Sequence, residues 1–376
     1  MALGLALAPV VALGFSRFAY ALLLPPMRDD LGWTYTQAGG INTANAIGYV
    51  AGAAGAAWLA KRLEIRRAFL AALAVSAAAL TATAATDDFA LLMTLRVVGG
   101  VATAVAFVAG SSLAARLRPS VLPVYFAGAG IGIILSGLVV PSALDRGDWR
   151  LGWLLLGLAS FVALVPAWLA ARAVPDVGEQ PVAALRLGDL RRLGPTLAAY
   201  ALFGAGYVSY MTFVIALLRG ASLPGWVPDV FWLVLGTSSA AFIALWGRWL
   251  ARMRGGNGKA AVSGAVLLGT LPILVAPGPV TALLSAVVFG SAFMAGPAAV
   301  TGITRHVLPP GMWTAGIAVM TTGFAFGQAV GPVLSGFLSD GSGGLQAGLW
   351  LSPILLAAAA AVSLLQAHHP HHSVAS

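Results

Sequence analysis

The sequence contains no cysteine and very few charged residues. Without cysteine, the chain cannot form disulfides or use a thiolate as nucleophile or metal ligand. Only 9% of its 376 residues are charged, whereas soluble domains average about 25%. A chain that is 59% hydrophobic and carries so few charges cannot cover a water-facing surface. These two shortages exclude thiol chemistry and a soluble globular fold.

Recognisable motifs for catalysis, metal binding and nucleotide binding are also lacking. No Ser/His/Asp set, zinc-ligand spacing or dinucleotide fingerprint occurs. Segment 255–259 resembles a phosphate-binding loop but lacks the Ser or Thr and the preceding strand, so we predict a turn there. The net charge of +9 would suggest nucleic acid in a soluble protein, but the basic residues lie in short loops between apolar runs. We therefore expect no enzyme activity, cofactor, metal or nucleic-acid partner.

Long apolar runs fill most of the chain instead. A bilayer core needs about 20 apolar residues per helix, and we count twelve runs of that order. They are too long for the alternating strands of a membrane β-barrel, so helices are predicted. The fold class is thus an all-α membrane protein. The predicted spans are 3–26, 37–60, 68–86, 89–115, 121–144, 151–172, 195–217, 229–251, 260–276, 280–303, 314–338 and 345–366.

Basic residues in the loops predict the orientation of the helices. The loops after even-numbered spans hold fifteen Lys and Arg residues, and those after odd-numbered spans hold four. Because cytoplasmic loops carry the excess of positive charge, the even loops should be cytoplasmic. We expect a multi-pass protein of the bacterial inner membrane with both termini in the cytoplasm. Since the first run has no basic segment before it, we read it as a retained helix and not as a signal peptide.

The hydrophilic stretch after the sixth span divides the chain into two halves. We predict an N-terminal six-helix bundle at 1–172, a cytoplasmic linker at 173–194, a C-terminal six-helix bundle at 195–366 and a flexible His-rich tail at 367–376. Sequence patterns recur between the halves at offsets of 191 to 195 residues, which favours a parallel six-helix repeat. The recurring pairs are 58–61 with 249–252, the glycine rows of 128–136 with 323–331, and Gly14 with Gly206.

Glycines and prolines in the fifth and eleventh spans are candidates for structural or gating roles. Small residues at every fourth position form a groove on one helix face and let two backbones approach closely. Where two helix bundles move against each other, such surfaces must also slide, and a proline can bend the helix beside them. Static packing is the alternative. The residues concerned are Gly132, Gly137 and Pro141 in the fifth span, and Gly327, Gly331 and Pro332 in the eleventh.

Several of these motifs resemble the major facilitator superfamily. Arg96 to Gly100 is similar to its Arg-x-x-x-Gly motif, and 128–141 to its Gly/Pro-rich fifth-helix motif. Segment 61–67, which includes Arg62, lies where that family has a basic cytoplasmic loop motif, but Lys61 replaces its aspartate. Segments 14–27 and 206–213 resemble the YbfB/YjiJ group of bacterial permeases. The resemblance implies two pseudo-symmetric six-helix bundles, secondary transport by alternating access, and structural or gating roles for Arg96, Gly100 and Arg62.

Two arginines fall inside the predicted spans, at Arg17 and Arg96. Counting 1.5 Å per residue places both about 12–14 Å below the outer interface. All twelve acidic residues lie in loops or at helix ends, so no carboxylate neutralises these cations at that depth. A buried cation costs at least about 2.5–3.5 kcal/mol and is tolerated when it faces a wet cavity or a partner. We predict that Arg17 binds an anionic group of the substrate, and we favour a bracing role for Arg96. The alternative is that both arginines only hold helices together.

Other polar residues at helical spacing are candidates for lining the same cavity. Their pattern places them on single faces of the first, second, seventh and eleventh spans. Each of them alone is more often a helix–helix hydrogen bond than a ligand contact. The candidates are Tyr20, Asn42, Asn45, Tyr49, Tyr207, Tyr210 and Gln328.

The predicted function is secondary transport of a small organic anion by a monomer, with the lipid bilayer as its surroundings. Protons are a candidate coupling ion, and their carrier would be the substrate itself, His306 or the interfacial Asp29, Asp30 and Asp340, because no span contains an acid. Uniport stays open. Two alternatives remain: an exporter of neutral or amphiphilic compounds with structural arginines, and a membrane receptor or scaffold that transports nothing.

Overall fold

The computed structural model describes residues 1–117, 121–174 and 187–367. Within these ranges the chain is helical and crosses back and forth twelve times. The helices are α1 Ala2–Leu31, α2 Tyr35–Leu63, α3 Ile65–Thr83, α4 Phe89–Leu117, α5 Leu122–Arg146, α6 Trp149–Arg172, α7 Leu187–Gly220, α8 Val227–Leu250, α9 Asn257–Val275, α10 Pro279–Val307, α11 Trp313–Ser339 and α12 Gly344–Leu364.

Eleven of these helices are long and apolar enough to cross a membrane, among the residues described. The remaining one is α2, which is 29 residues long but carries Asn42 and Asn45 in its first half. The two asparagine amides lower the mean hydropathy of α2, although the helix is long enough to span the membrane. The predicted all-α membrane fold is confirmed. Below, the end of the bundle that carries the loops after odd-numbered helices is called the outer end, following the charge bias of the sequence.

Two helices are longer than the sequence predicted. Helix α1 does not stop near residue 26, since it continues through Pro25 and Pro26 to Leu31. It ends at Gly32, whose φ of 65° is left-handed and therefore suits glycine. Helix α7 begins at Leu187, within the predicted linker 173–194. Linker residues 175–186 and tail residues 368–376 lie outside the described residues.

Two other helices are interrupted where the sequence predicted continuous spans. Helix α10 consists of Pro279–Phe293 and Gly296–Val307, and α12 of Gly344–Leu349 and Leu351–Leu364. Pro297 lies in the first turn of the second segment of α10, and Pro353 in that of α12. Proline fits the first turn of a helix but cannot donate a backbone hydrogen bond to the turn before it, so each break lies just before a proline.

The middle of α1 is a π-helix over Val10–Phe18. The backbone N–H of Ala19 donates to the carbonyl of Gly14 at 2.9 Å, which is the five-residue spacing of a π turn. Pro9 immediately precedes this segment and has no N–H of its own. Since π turns are rare and are frequently found at functional sites, this stretch directs attention to the residues it carries, among them Arg17.

The two halves of the chain meet through close backbone contacts that run from the outer end to about mid-depth. A Cβ on Gly39 of α2 would lie 2.3 Å from the carbonyl oxygen of Pro332 in α11. One on Gly137 of α5 would lie 2.9 Å from the ring of Trp232 in α8. The indole N–H of Trp232 also donates to the hydroxyl of Ser136 at 3.1 Å. The α2–α11 and α5–α8 pairs therefore join the halves.

Close glycine contacts of the same kind recur inside each half. In the first half, a Cβ on Gly132 of α5 would lie 2.6 Å from the carbonyl oxygen of Val10 in α1. In the second half, one on Gly327 of α11 would lie 1.9 Å from the carbonyl oxygen of Ala201 in α7, and one on Gly331 would lie 2.4 Å from that of Ala205. Helix α5 thus packs on α1 as α11 packs on α7, as a parallel repeat requires.

Candidate substrate-binding site

The side chain of Arg17 projects from the π-helical segment into the middle of the bundle and is only 5% exposed. Its Nε and Nη2 atoms are buried and have no hydrogen-bond partner among the described residues. Its guanidinium carbon lies 5.4 Å from the centre of the Tyr49 ring, a cation–π distance. Hydrogen-bond donors of a buried cation are rarely left without partners, so these two atoms suggest a ligand site.

A small cavity adjoins Arg17 between the two halves. Its volume is about 10 Å³, which is room for roughly one water molecule. A solute larger than water can therefore enter only if the halves separate. The cavity is lined by Arg17, Phe18, Tyr20 and Ala21 of α1, Asn42 of α2, and Val208, Met211 and Thr212 of α7.

The predicted polar face of α2 separates into three different contacts. The Asn42 amide donates to the hydroxyl of Thr212 at 2.6 Å, which joins the two halves beside the cavity. The Asn45 amide donates to the backbone carbonyl of Arg96 at 3.4 Å and stays within the first half, and its carbonyl oxygen has no partner in the described structure. Of the three residues, Asn42 lines the cavity and Tyr49 contacts Arg17.

Arg96 lies on the other side of α1 and holds its backbone. The guanidinium donates through Nη1 to the carbonyl of Ser16 at 2.9 Å. Its carbon lies 3.9 Å from the ring centre of Trp153 and 5.2 Å from that of Tyr20. The contacted carbonyl belongs to the π-helical segment that carries Arg17, so the bracing role of Arg96 stays a prediction that this contact favours. Its Nε and Nη2 atoms, like those of Arg17, are buried without a partner among the described residues, but Arg96 does not line the cavity.

The candidate tyrosines and Gln328 occupy different places. The Tyr207 hydroxyl is hydrogen-bonded to the side-chain amide of Gln328, and the other atom of that amide is buried without a partner among the described residues. The Tyr20 hydroxyl donates to the carbonyl of Ala38 at 2.8 Å. The structure does not bring Tyr210 to the cavity, since its hydroxyl pairs with Ser285 inside the second half.

An aromatic cluster in the second half contacts Phe18, which lines the cavity, and sequence patterns did not reveal this contact. Phe18 of α1 meets Phe293 of α10 edge to face, with ring centres 5.7 Å apart. Phe293 stacks on Tyr207 at 6.0 Å, and Tyr207 stacks on Phe324 of α11 at 5.6 Å. An isolated aromatic residue in an apolar helix does not indicate which other residues it contacts. The contacts between these rings are therefore visible only in the structure.

The remaining candidates for structural or gating roles lie at helix contacts. A Cβ on Gly100 of α4 would lie 2.2 Å from the carbonyl oxygen of Asn45 in α2. The Arg62 guanidinium lies 5.2 Å from the ring centre of Trp58. Pro141 lines a cleft of about 350 Å³ at the outer end, between α5 and the connection of α7 to α8.

A carboxylate links the halves at the outer end. Asp340, which follows α11, accepts hydrogen bonds from the backbone N–H groups of Tyr35 at 2.7 Å and Thr36 at 2.9 Å, and from the Thr36 hydroxyl at 2.5 Å. Partial burial favours its protonated form, but the hydrogen bonds from Thr36, Tyr35 and Thr34 outweigh it and lower the pKa of Asp340 below its usual value.

One further cation is buried where the sequence predicted a loop. Lys259 was counted among the cytoplasmic loop charges, but it lies in the first turn of α9 and is 0% exposed. Its amine donates to the Ser263 hydroxyl at 2.9 Å and lies 3.4 Å from the ring centre of Phe203. The sequence placed Lys259 in a loop because the apolar run begins at residue 260, whereas helix α9 begins three residues earlier, at Asn257.

Comparison with known proteins gives one consistent result. A family model described as "Uncharacterised MFS-type transporter YbfB" matches residues 9–364. A chloramphenicol resistance protein of Streptomyces lividans is 29% identical over an alignment 374 residues long, which covers 94% of this chain and 93% of that protein. A bacterial homologue of the human lysosomal transporter Spinster, in an inward-facing and occupied conformation, superposes with a TM-score of 0.79 at 14% identity, covering 97% of this chain and 96% of that one. The nucleoside transporter NupG superposes with a TM-score of 0.73 at 16% identity, covering 97% and 98%. The chain therefore belongs to the YbfB family of major facilitator superfamily (MFS) transporters.

Proposed function

We propose that this transporter carries a small organic anion across the bacterial inner membrane, and that Arg17 binds the acid group of that anion. The observation that carries this proposal is that the Arg17 guanidinium has two buried, unpartnered nitrogen atoms and also lines the cavity between the halves. A planar guanidinium offers two parallel N–H donors that match the two oxygens of a carboxylate. Binding the anion would give both donors a partner and would supply the counter-charge that the spans lack.

Residues of both halves surround this position, which supports transport by alternating access. The cavity is lined from α1 and α2 of the first half and from α7 of the second. Contacts between the halves run from the outer end, at Asp340, to mid-depth, at Asn42 and Thr212. We infer that these contacts form the closed outer gate and must break for the site to open outward.

The test is substrate binding and flux with variants of Arg17. Purified protein in proteoliposomes would be compared as wild type, Arg17→Gln, Arg17→Lys and the exposed control Arg248→Gln. A hydrogen bond to a charged group contributes about 1.5–3 kcal/mol, so Arg17→Gln should weaken anion binding roughly 10- to 150-fold. Arg17→Lys keeps the positive charge but not the two parallel N–H donors of the guanidinium, so it should lose less affinity for the anion than Arg17→Gln. Full anion transport by Arg17→Gln would refute the proposal.

A second candidate is export of a neutral or amphiphilic compound. It is favoured by the relative named for chloramphenicol resistance, since a membrane carrier can produce resistance by moving a compound out of the cell. In that case Arg17 would only hold helices together. A competition panel of organic anions and neutral compounds separates the two, because the exporter should respond to the neutral compounds and retain its transport in Arg17→Gln.

A further inference from the structure

We propose that the transported anion bears a single acid group on an apolar, ring-bearing body. Sugar acids, nucleosides and dicarboxylates would then be poor substrates. This inference rests on the proposed role of Arg17 and adds what the rest of the site requires. It follows from three properties of the described residues around the cavity. These are the number of cations, the pairing of the hydroxyl and amide groups, and the aromatic surface that contacts both halves.

The first property is the number of cations. Arg17 is the basic residue that lines the cavity. The second buried guanidinium, of Arg96, also has Nε and Nη2 atoms without a partner among the described residues, but it does not line the cavity. It donates through Nη1 to the Ser16 carbonyl and lies against the rings of Trp153 and Tyr20. A second carboxylate on the substrate would therefore lose its water shell without gaining a counter-charge, and such a loss is strongly unfavourable in a buried site.

The second property is the pairing of the hydroxyl and amide groups. The Tyr20 hydroxyl donates to Ala38, and the Thr212 hydroxyl donates to Val208 at 2.7 Å while it accepts from Asn42. These groups have their donors in use, so the several hydroxyls of a sugar would find few partners unless existing hydrogen bonds broke. A broken buried hydrogen bond leaves an unpaired polar group, which is the costly outcome.

One polar function on the body of the substrate can still be accommodated. The Gln328 amide has one end paired with the Tyr207 hydroxyl, and whichever way the amide is turned, its other end is left unpaired. A single hydroxyl or amino substituent could meet that end. The site therefore admits a monosubstituted ring more readily than a polyol.

The third property is the aromatic surface that spans the halves. Phe18 lines the cavity from the first half, and its edge-to-face partner Phe293 belongs to the second half. When the halves separate, this pair must part, so that Phe18 loses its ring contact and Phe293 loses its edge-to-face neighbour while it keeps the stacked rings of its own half. An aromatic or alicyclic ring placed between them restores such contacts, and the Tyr207 and Phe324 rings continue the surface behind Phe293. The acid group of the same molecule would point to Arg17.

The experiment compares a matched series of probes with purified protein in detergent or liposomes. The series is phenylacetate and cyclohexylacetate (one acid, one ring), acetate (no ring), gluconate (polyol acid), terephthalate (two acids) and phenylacetamide (ring without charge). We expect the two ring monoacids to bind at least about tenfold more tightly than each other probe. Equal binding of gluconate or terephthalate would overturn the inference.

Two variants separate this inference from the proposed function. Phe293→Leu should weaken phenylacetate binding about tenfold and leave acetate binding unchanged, whereas the control Phe337→Leu, at a side chain that is 66% exposed, should change neither. Arg17→Gln should weaken the binding of every acid in the series. If acids bind through Arg17 without regard to the ring, only the substrate class is wrong. If no acid in the series depends on Arg17, both proposals are wrong.

Discussion

The carboxylate of Asp340 accepts a hydrogen bond of 2.7 Å from the backbone N–H of Tyr35, a residue of the other half of the molecule. Tyr35 is the first residue of α2, so Asp340 occupies the position of an anion at a helix N-terminus. The free N–H groups and the helix dipole both favour negative charge at that place. This single side chain therefore joins α11 to α2 at the outer end.

We predict that Asp340→Asn will shift the protein toward conformations with separated outer ends. The amide keeps the shape of the side chain but loses its charge, and charge at a helix N-terminus is typically worth about 0.3–1 kcal/mol. Because the chain has no cysteine, spin labels can be placed at Ala85→Cys and Val280→Cys, two exposed outer positions in different halves. The distance between the labels should become longer or broader in the variant.

The matched control for this experiment is Asp88→Asn. Asp88 also accepts from a helix N-terminal backbone N–H, that of Leu91 at 2.7 Å, but within its own half. Asp88→Asn should therefore leave the distance between the labels unchanged. An unchanged distance in Asp340→Asn as well would show that the charge of Asp340 is not needed to keep the outer ends together.

The pH dependence of this link follows from the lowered pKa of Asp340. Because the linked carboxyl has a pKa below its usual value of 3.8, the link contributes fully above the pKa of the free group and is lost as the pH falls through the lower value. At neutral pH the carboxyl stays ionised whether the outer ends are joined or separated. The label distance should therefore be constant from pH 8 to pH 6, which argues against Asp340 as a proton carrier.

Physical limits explain which parts of the fold were predictable from the sequence. The number of helices and the likeness of the halves were predictable, because span length and loop charge are enforced by the bilayer. The continuation of α1 through Pro25 and Pro26 was not, since tertiary packing overrides the local penalty for proline. The breaks within α10 and α12 were also missed, because an apolar run reads the same whether its helix is continuous or interrupted.

Sequence patterns named three of the residues that line the cavity: Arg17 by its charge, and Tyr20 and Asn42 by their helical spacing. Arg17 was recognisable because a cation in an apolar span is costly without a reason. The π-helical turn that directs it, and the contact between Phe18 and Phe293, depend on packing between segments far apart in the sequence. Tyr210 lies three residues after Tyr207, but its hydroxyl pairs with Ser285 within the second half, a contact that spacing along one helix does not reveal.

The glycine contacts predict a sharp contrast between two substitutions in helices. Gly327→Ala would place a Cβ 1.9 Å from the carbonyl oxygen of Ala201, so α7 and α11 must move apart. Overpacking of this kind costs about 1–3 kcal/mol, and thermal unfolding should occur at a clearly lower temperature. Gly264→Ala has nothing within 4 Å of its new Cβ and should be neutral or slightly stabilising. Similar unfolding temperatures for both variants would contradict this packing.

The hydrogen bond between Asn42 and Thr212 should show measurable coupling between the two halves. The partners are buried and 2.6 Å apart, so a double-mutant cycle with Asn42→Ala and Thr212→Val should give a coupling energy of about 0.5–1.5 kcal/mol in thermal or denaturant unfolding. The cycle of Asn42→Ala with Thr237→Val, an exposed threonine of α8 that bonds its own helix, is the control and should be additive. Additivity in both cycles would mean that the bond does not hold the halves together.

Replacement of Lys259 by methionine should leave the stability unchanged or raise it by about 1 kcal/mol. The ammonium group is fully buried in the first turn of α9, where the helix dipole disfavours positive charge, and no carboxylate lies within ion-pair distance among the described residues. The contact with the Phe203 ring and the hydrogen bond to Ser263 offset part of that cost. Methionine has a similar length, needs no hydrogen-bond partner and can keep the contact with the ring, and apolar replacements of buried charges are often neutral or stabilising.

Thermal unfolding of Lys259→Met beside Ser263→Ala measures this balance. Ser263→Ala removes a hydrogen bond from the ammonium group and should lower the stability by about 1 kcal/mol in the wild-type background, but it should have little effect once Lys259 is methionine. A large loss of stability in Lys259→Met would show instead that the contact between the amine and the ring outweighs its desolvation. Loss of transport by a stably folded Lys259→Met protein would assign the amine a part in the transport cycle. Packing alone would then not explain why a buried charge is kept in the first turn of α9.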